Sequence, residues 1–191
     1  MKNPYSGVYM IGLAKQILKK EWDTLRLYFD NCGDIGEFKF EDLMNSSSVR
    51  GEEEVLVGKT VSMYESFPRR GYASPEAFSV VTILASSAAE KLGLSKNIAY
   101  YFGLGFGFVR TGFISYSELE RKQLLFHKLF FPLGGFANNY LEFEPSLVKP
   151  KIKALFERFK CWDENPKSFE MDYLLYTNAD ETWKEWDKLS E

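Results

Sequence analysis

Residues 97–112 read NIAYYFGLGFGFVRTG, and this stretch decides the fold class. Through its middle, aromatic or leucine side chains alternate with residues that are mostly glycine. Taken alone, a two-residue period predicts a strand with one aromatic face. A helix here would contain three interior glycines, each destabilising it by about 1 kcal/mol relative to alanine. However, Ser95 can cap a helix, Gly112 can end it, and both flanking segments show helical patterns. We therefore predict a helix, with a strand at about 98–109 as the alternative.

This helix is expected to form one half of a central hairpin, rich in glycine and aromatic residues, that spans 97–136. A cap at Ser117 predicts the second helix, at 118–131. The helix before the hairpin contains the small residues Ala85–Ala89. We expect Gly103 and Gly107 to form a notch against which that small-residue face packs.

Further apolar patterns at three- and four-residue steps indicate helices elsewhere in the chain. Proline, glycine and capping residues bound these predicted helices at 8–29, 41–44, 52–67, 74–92, 151–161, 166–176 and 179–189. Pro68 is expected to stop the third of these helices. The sequence thus predicts an all-α protein, a compact bundle of about seven to eight short helices in a single domain over 1–191. The alternative class is α+β.

Composition and charge narrow the classes of function. The 191 residues carry a net charge of −3, which weakens non-specific attraction to nucleic acid; Arg69 and Arg70 are the best candidates for a local basic patch. The longest apolar stretch, at 98–109, is too short for a spanning helix of about 20 residues. The N-terminus lacks signal-peptide features, and Cys32 and Cys161 are too few for a disulfide framework. We expect a cytoplasmic protein that is not integral to a membrane.

Two motifs resemble ligand-binding sites, but each lacks a glycine that the site requires. Gly58–Thr60 looks like the end of a phosphate-binding loop, but the position for the partner glycine is Glu53. The acidic residues from Asp30 to Glu41 match part of a calcium-binding loop, but Ile35 replaces the glycine that its turn requires. We interpret these acids as a solvated loop and expect no metal and no cofactor.

The remaining polar candidates have structural interpretations. The one histidine, His127, lies beside an apolar arc of its predicted helix, so a half-buried structural role is favoured over catalysis. The acidic pairs at 163–164 and 180–181 are interpreted as solvated charges at helix starts. Arg110 is the one charged residue between Asn97 and Ser117. A buried arginine keeps its proton and must find an acceptor, so Arg110 marks a possible anion or buried-charge site.

The leading functional hypothesis is a non-enzymatic protein that binds another protein or itself through an aromatic surface. Such a protein would be a complex subunit, an adaptor, or an inhibitor or immunity-type partner. Trp162, Trp183 and Trp186 are the predicted anchors, because tryptophan and tyrosine dominate interface energetics. The alternative is a lipid or small apolar-ligand binder with a pocket beside the glycine-rich helix.

Overall fold

The fold is mainly α-helical. A computed structural model describes residues 7–46, 49, 51–70, 74–112, 129 and 145–177. Over these ranges the chain forms seven α-helices: α1 (Gly7–Phe29), α2 (Phe40–Met44), α3 (Glu53–Arg70), α4 (Pro75–Lys91), α5 (Lys96–Thr111), α6 (Pro145–Glu164) and α7 (Pro166–Thr177). The all-α prediction is confirmed, and the strand alternative for 98–109 is wrong. The predicted helix at 179–189 and, apart from the buried Leu129, the second half of the hairpin lie outside the described residues.

Two of the three glycines of α5, Gly103 and Gly107, allow it to pack directly against α4. A Cβ atom on Gly103 would lie 2.0 Å from Ser86 Oγ and 2.6 Å from the Thr82 carbonyl oxygen. A Cβ atom on Gly107 would lie 2.3 Å from Thr82 Oγ1 and 3.1 Å from the Phe78 ring. The predicted glycine notch is therefore confirmed. Of the α4 residues that face these glycines, Ser86 lies within the predicted small-residue face, whereas Thr82 and Phe78 lie about one and two turns before it.

The aromatic residues of α5 form a second stripe beside the glycines. Phe102 and Phe106 are fully buried. The ring centroid of Phe29, on α1, lies 5.5 Å from that of Phe102 and 5.3 Å from that of Phe106. Phe159, on α6, lies 5.2 Å from Phe102. Since four is a multiple of two, strict alternation also places like residues at i and i+4, on one helix face. The same pattern therefore suits a helix with adjacent aromatic and glycine stripes.

The ends of α4 and α5 follow the local sequence. Ser74 Oγ accepts a hydrogen bond from the Ala77 N–H at 3.0 Å, which caps α4 and agrees with the predicted start of this helix. Gly112 ends α5 with a φ of 65°, a left-handed conformation that favours glycine. Ser95 stands at the N-cap of α5, but its side chain makes no capping hydrogen bond. Its N–H instead donates to Asp163 at 2.6 Å.

Three local expectations are wrong. Asp163 is not a helix-start charge, because it lies in the last turn of α6, where its carboxylate binds the backbone of α5. Pro68 does not stop α3, which continues to Arg70. Pro150 lies inside α6 instead of preceding it. A proline removes one backbone hydrogen bond, and the fully buried Ile152 on the same helix contributes packing that offsets the loss.

Gly103→Ala tests the contact between α4 and α5. We expect the free energy of unfolding to fall by about 2 kcal/mol or more, because the added methyl group must push α4 away. Gly58→Ala is the matched control: at this exposed glycine of α3, an added Cβ atom would meet nothing within 4 Å. That variant should gain about 0.5 to 1 kcal/mol from helix propensity. Equal effects of the two substitutions in urea denaturation would contradict the close approach.

Candidate functional site

A groove of about 260 Å³ lies between α1 and α3 and is our candidate functional site. Its walls are formed by Leu13, Gln16, Ile17, Lys20 and Glu21 of α1 and by Met63 and Tyr64 of α3. The α1 residues recur at three- and four-residue steps, so they share one face of that helix. We call this cavity the α1–α3 groove.

The floor of the groove is apolar and its rim is aromatic. Ile17 and Met63 are buried, and Leu13 is partly buried. Tyr64, the next residue of α3, is 57 % exposed. Tyr9 lies one turn before Leu13 on the same face of α1 and is 53 % exposed. A buried apolar surface is thus bordered by the exposed ring of Tyr64, and Tyr9 lies beyond the groove lining.

One end of the groove carries a buried carboxylate. Glu21 lies one turn beyond Ile17 and is only 7 % exposed, whereas Gln16 and Lys20 are exposed. Glutamate is almost never this buried without partners, because removing its charge from water is unfavourable. A carboxylate has about four acceptor positions, so it can bind an incoming donor in addition to contacts within the chain.

The sequence predictions omit the burial of Glu21, although its position among apolar residues of α1 indicates it. This glutamate lies three residues after the buried Leu18 and four before the buried Leu25. It therefore interrupts the apolar face of α1 instead of extending the polar one. A charged residue in the apolar arc of a helix is more informative than one on its solvated face.

The space directly beside Gly103 and Gly107 is occupied by α4. Side chains of Thr82 and Ser86 fill the positions next to these two glycines. The groove described above is lined by α1 and α3 instead.

Trp162, the first predicted anchor, lies in the core. It is 1 % exposed, and its ring centroid lies 4.6 Å from that of Phe159 and 5.2 Å from that of Phe169. Its indole N–H donates to Asp172 Oδ2 at 2.5 Å, and Arg158 pairs with the same carboxylate at 3.2 Å. Trp162 thus joins α6 to α7 and offers no exposed ring to a partner.

The other predicted site residues are placed differently. Trp183, Trp186 and His127 lie outside the described residues. Arg110 lies in the last turn of α5 and is 9 % exposed, which makes it a nearly buried charge near the end of the helix. The adjacent Thr111 donates its hydroxyl hydrogen to the Gly107 carbonyl oxygen at 2.7 Å. The structure does not bring Arg110 into the lining of the α1–α3 groove.

The motifs rejected from the sequence have ordinary structural roles. Gly58–Thr60 lies inside α3, without the loop that cradles a phosphate. In the acidic loop, Asp30 forms an ion pair with Lys149, and Glu41 pairs with Lys15 at 3.5 Å. A backbone hydrogen bond, assisted by Lys15, holds the pKa of Glu41 below its ordinary value. These carboxylates pair with lysines of other elements.

Comparison with metal sites, membrane-spanning helices and known proteins assigns no function to this groove. Among the described residues, no three His, Cys, Asp or Glu side chains cluster closely enough to hold a metal ion. Within the same residues, no helix combines the length and the apolar character needed to cross a bilayer. Comparison of the chain with protein-family models, curated proteins and solved structures finds no match in any of the three.

Asp172→Ala tests the structural role of the Trp162 cluster. Loss of the carboxylate leaves a buried indole N–H and the Arg158 guanidinium without this acceptor, so we expect a loss of about 2 to 3 kcal/mol in unfolding free energy. Asp23→Ala removes an acid that forms an exposed pair with Lys19 and should change stability by less than about 0.5 kcal/mol. If both variants unfold at the same urea concentration, the cluster does not join α6 to α7.

The two cysteines should differ in reactivity. Burial, with a contribution from Glu157, raises the pKa of Cys32 to about 12, whereas Cys161 is exposed. At pH 8 the raised pKa leaves a thiolate fraction of about 10⁻⁴ at Cys32. We expect a thiol-specific disulfide reagent to modify one thiol in the native protein and two after unfolding in guanidinium. The Cys161→Ser variant should then show no rapid reaction, although Cys32 is partly exposed; rapid modification of that variant would contradict the raised pKa of Cys32.

Proposed function

We propose that this protein binds another protein, without catalysing a reaction, through the α1–α3 groove. The observation that carries the proposal is the exposed ring of Tyr64 at the rim of a groove with a buried apolar floor. Interface hot spots are enriched in tyrosine and cluster where a side chain enters a pocket on the partner. Tyr64 can act as such a tyrosine, and the groove can act as such a pocket.

The dimensions of the groove favour a protein partner. Its volume of about 260 Å³ lies near the lower end of the range of about 300–1,000 Å³ that is usual for small-molecule sites. A partner can insert one anchoring side chain there and gain further contacts from the surrounding surface. Tyr9, on the same face of α1, extends the exposed aromatic surface beyond the groove.

A small apolar ligand is the second candidate, favoured by the buried Ile17 and Met63 on the floor. A small apolar molecule that stays bound to the purified protein, detected by native mass spectrometry, would support that alternative.

The partner is either a second copy of this chain or a different protein. Self-association is the simplest case, because closed symmetric dimers are the commonest oligomers. A cytoplasmic location forms part of the proposal and is supported by the free thiols of Cys32 and Cys161. Roles as a complex subunit, an adaptor or an inhibitor all use such a surface.

Tyr64→Ala is the central test. Tagged wild-type protein and variants are used for affinity purification with quantitative mass spectrometry, and self-association is measured by sedimentation. Loss of a hot-spot ring typically removes about 2 kcal/mol or more, so we expect about 30-fold weaker binding. Tyr100→Ala is the matched control, because Tyr100 is a similarly exposed tyrosine on α5, outside the groove lining.

The result that supports the proposal is a partner, or a dimer, retained by wild type and Tyr100→Ala and lost by Tyr64→Ala. Equal retention by all three proteins would reject the groove as the binding surface. A double variant, Trp183→Ala with Trp186→Ala, tests the anchors predicted from the sequence. Selective loss of the partner in that variant would move the interface to the C-terminal segment.

A further inference from the structure

We infer that the α1–α3 groove accepts an apolar chain that ends in a cation, as presented by a lysine or arginine side chain of the partner protein. This inference rests on the proposed function and specifies the chemistry of the group that enters the groove.

The groove is asymmetric along α1. Leu13 and Ile17 line its apolar part together with Met63, and Glu21 lies at the other end. Leu13 and Glu21 are eight positions apart, which corresponds to about 12 Å along the helix. An occupant must therefore cover apolar surface along most of its length and present a polar group at one end. Lysine and arginine have this form, with a long apolar stem and a charged tip.

The charge of the terminal group follows from Glu21. An anionic group would be repelled by a carboxylate that is only 7 % exposed, where water screens the repulsion poorly. A cation with N–H donors instead forms charge-assisted hydrogen bonds, which are shorter and about twice as strong as neutral ones. A carboxylate has about four acceptor positions, so such a bond can form beside its contacts within the chain.

Lys20 also lines the groove and repels a cation. However, the charges of Lys20 and Glu21 differ in their exposure to water. The side chain of Lys20 is exposed, so its ammonium is hydrated and screened, whereas the carboxylate of Glu21 is held away from water. The ring of Tyr64 at the rim offers a further favourable surface to a cation, particularly to a guanidinium group. The net charge of −3 also favours approach by a basic segment.

Three fragments with six apolar carbons each separate the possible charges. We would titrate hexylammonium, hexanol and heptanoate into ¹⁵N-labelled full-length protein and follow amide shifts in α1 and α3. We expect hexylammonium to bind most tightly, at about millimolar concentration, and heptanoate to bind least. Hexanol binding as tightly as hexylammonium would overturn the inference, since the apolar part alone would then account for binding.

Glu21→Gln identifies the group that selects the cation. Loss of a charged hydrogen-bond partner should weaken hexylammonium binding about 10-fold or more and leave hexanol binding unchanged. Asp23→Asn is the matched control: it removes the same charge from an exposed site on α1 that pairs with Lys19, and should change binding less than about twofold. Thermal unfolding of each variant, followed by circular dichroism, establishes that it is folded.

Lys20→Gln provides a test with the opposite sign, and it does not depend on altering a buried group. Removing the opposing exposed charge should strengthen hexylammonium binding about two- to fivefold. Weaker binding of hexylammonium to this variant would contradict the inference.

The same variants distinguish this inference from the proposed function. If Tyr64→Ala releases the partner and Glu21→Gln does not, the groove binds a protein but not through a cation, and the inference fails alone. If hexylammonium binding depends on Glu21 and no partner depends on either residue, the groove binds a free amine and the assignment to a partner side chain fails. Release of the same partner by Tyr64→Ala, by Glu21→Gln and by added hexylammonium supports both.

Discussion

The close approach of α4 and α5 is the constraint on which the rest of the fold depends. At Gly103 the helices are so close that a single methyl group would overlap a hydroxyl and a backbone carbonyl of α4. Glycine is unfavourable inside a helix by about 1 kcal/mol, so these residues are stabilising only through the contact they permit. The contact brings many weakly attracting atoms together over successive turns, and this collective packing offsets the low helix propensity of α5.

With its glycine stripe against α4, α5 presents its aromatic stripe to other helices. Phe102 and Phe106 contact Phe29 of α1, and Phe102 also contacts Phe159 of α6. These rings link α1 and α6 to the paired helices, and α1 also packs against α3. The α1–α3 groove therefore lies on helices whose positions are supported by the core. Rigid support of this kind suits a binding surface, because less ordering is required when a partner binds.

Local sequence rules for helix ends are wrong where tertiary packing competes with them. Proline was expected to end α3 at Pro68 and to precede α6 at Pro150, yet both helices contain these residues. At Pro150 the cost of about 3 kcal/mol is offset by burial of several apolar side chains on the same helix, among them Ile152 and Leu155. The contact of Asp163 also depends on tertiary packing, because the N–H that it binds comes from Ser95, which is distant in sequence. Residue type alone predicts Trp162 as an anchor, whereas its burial depends on packing between α6 and α7.

The sequence by itself determined the fold class, most helix ends and the glycine notch, because helical periodicity, capping and the absence of a side chain are local properties. It also contained the anomaly at Glu21, a charge within an apolar arc. Tertiary structure decided where that charge lies: Met63 and Tyr64 of α3 join it at the groove although more than forty positions separate them along the chain. A groove between two helices is a property of their relative placement, and no spacing within either helix specifies it.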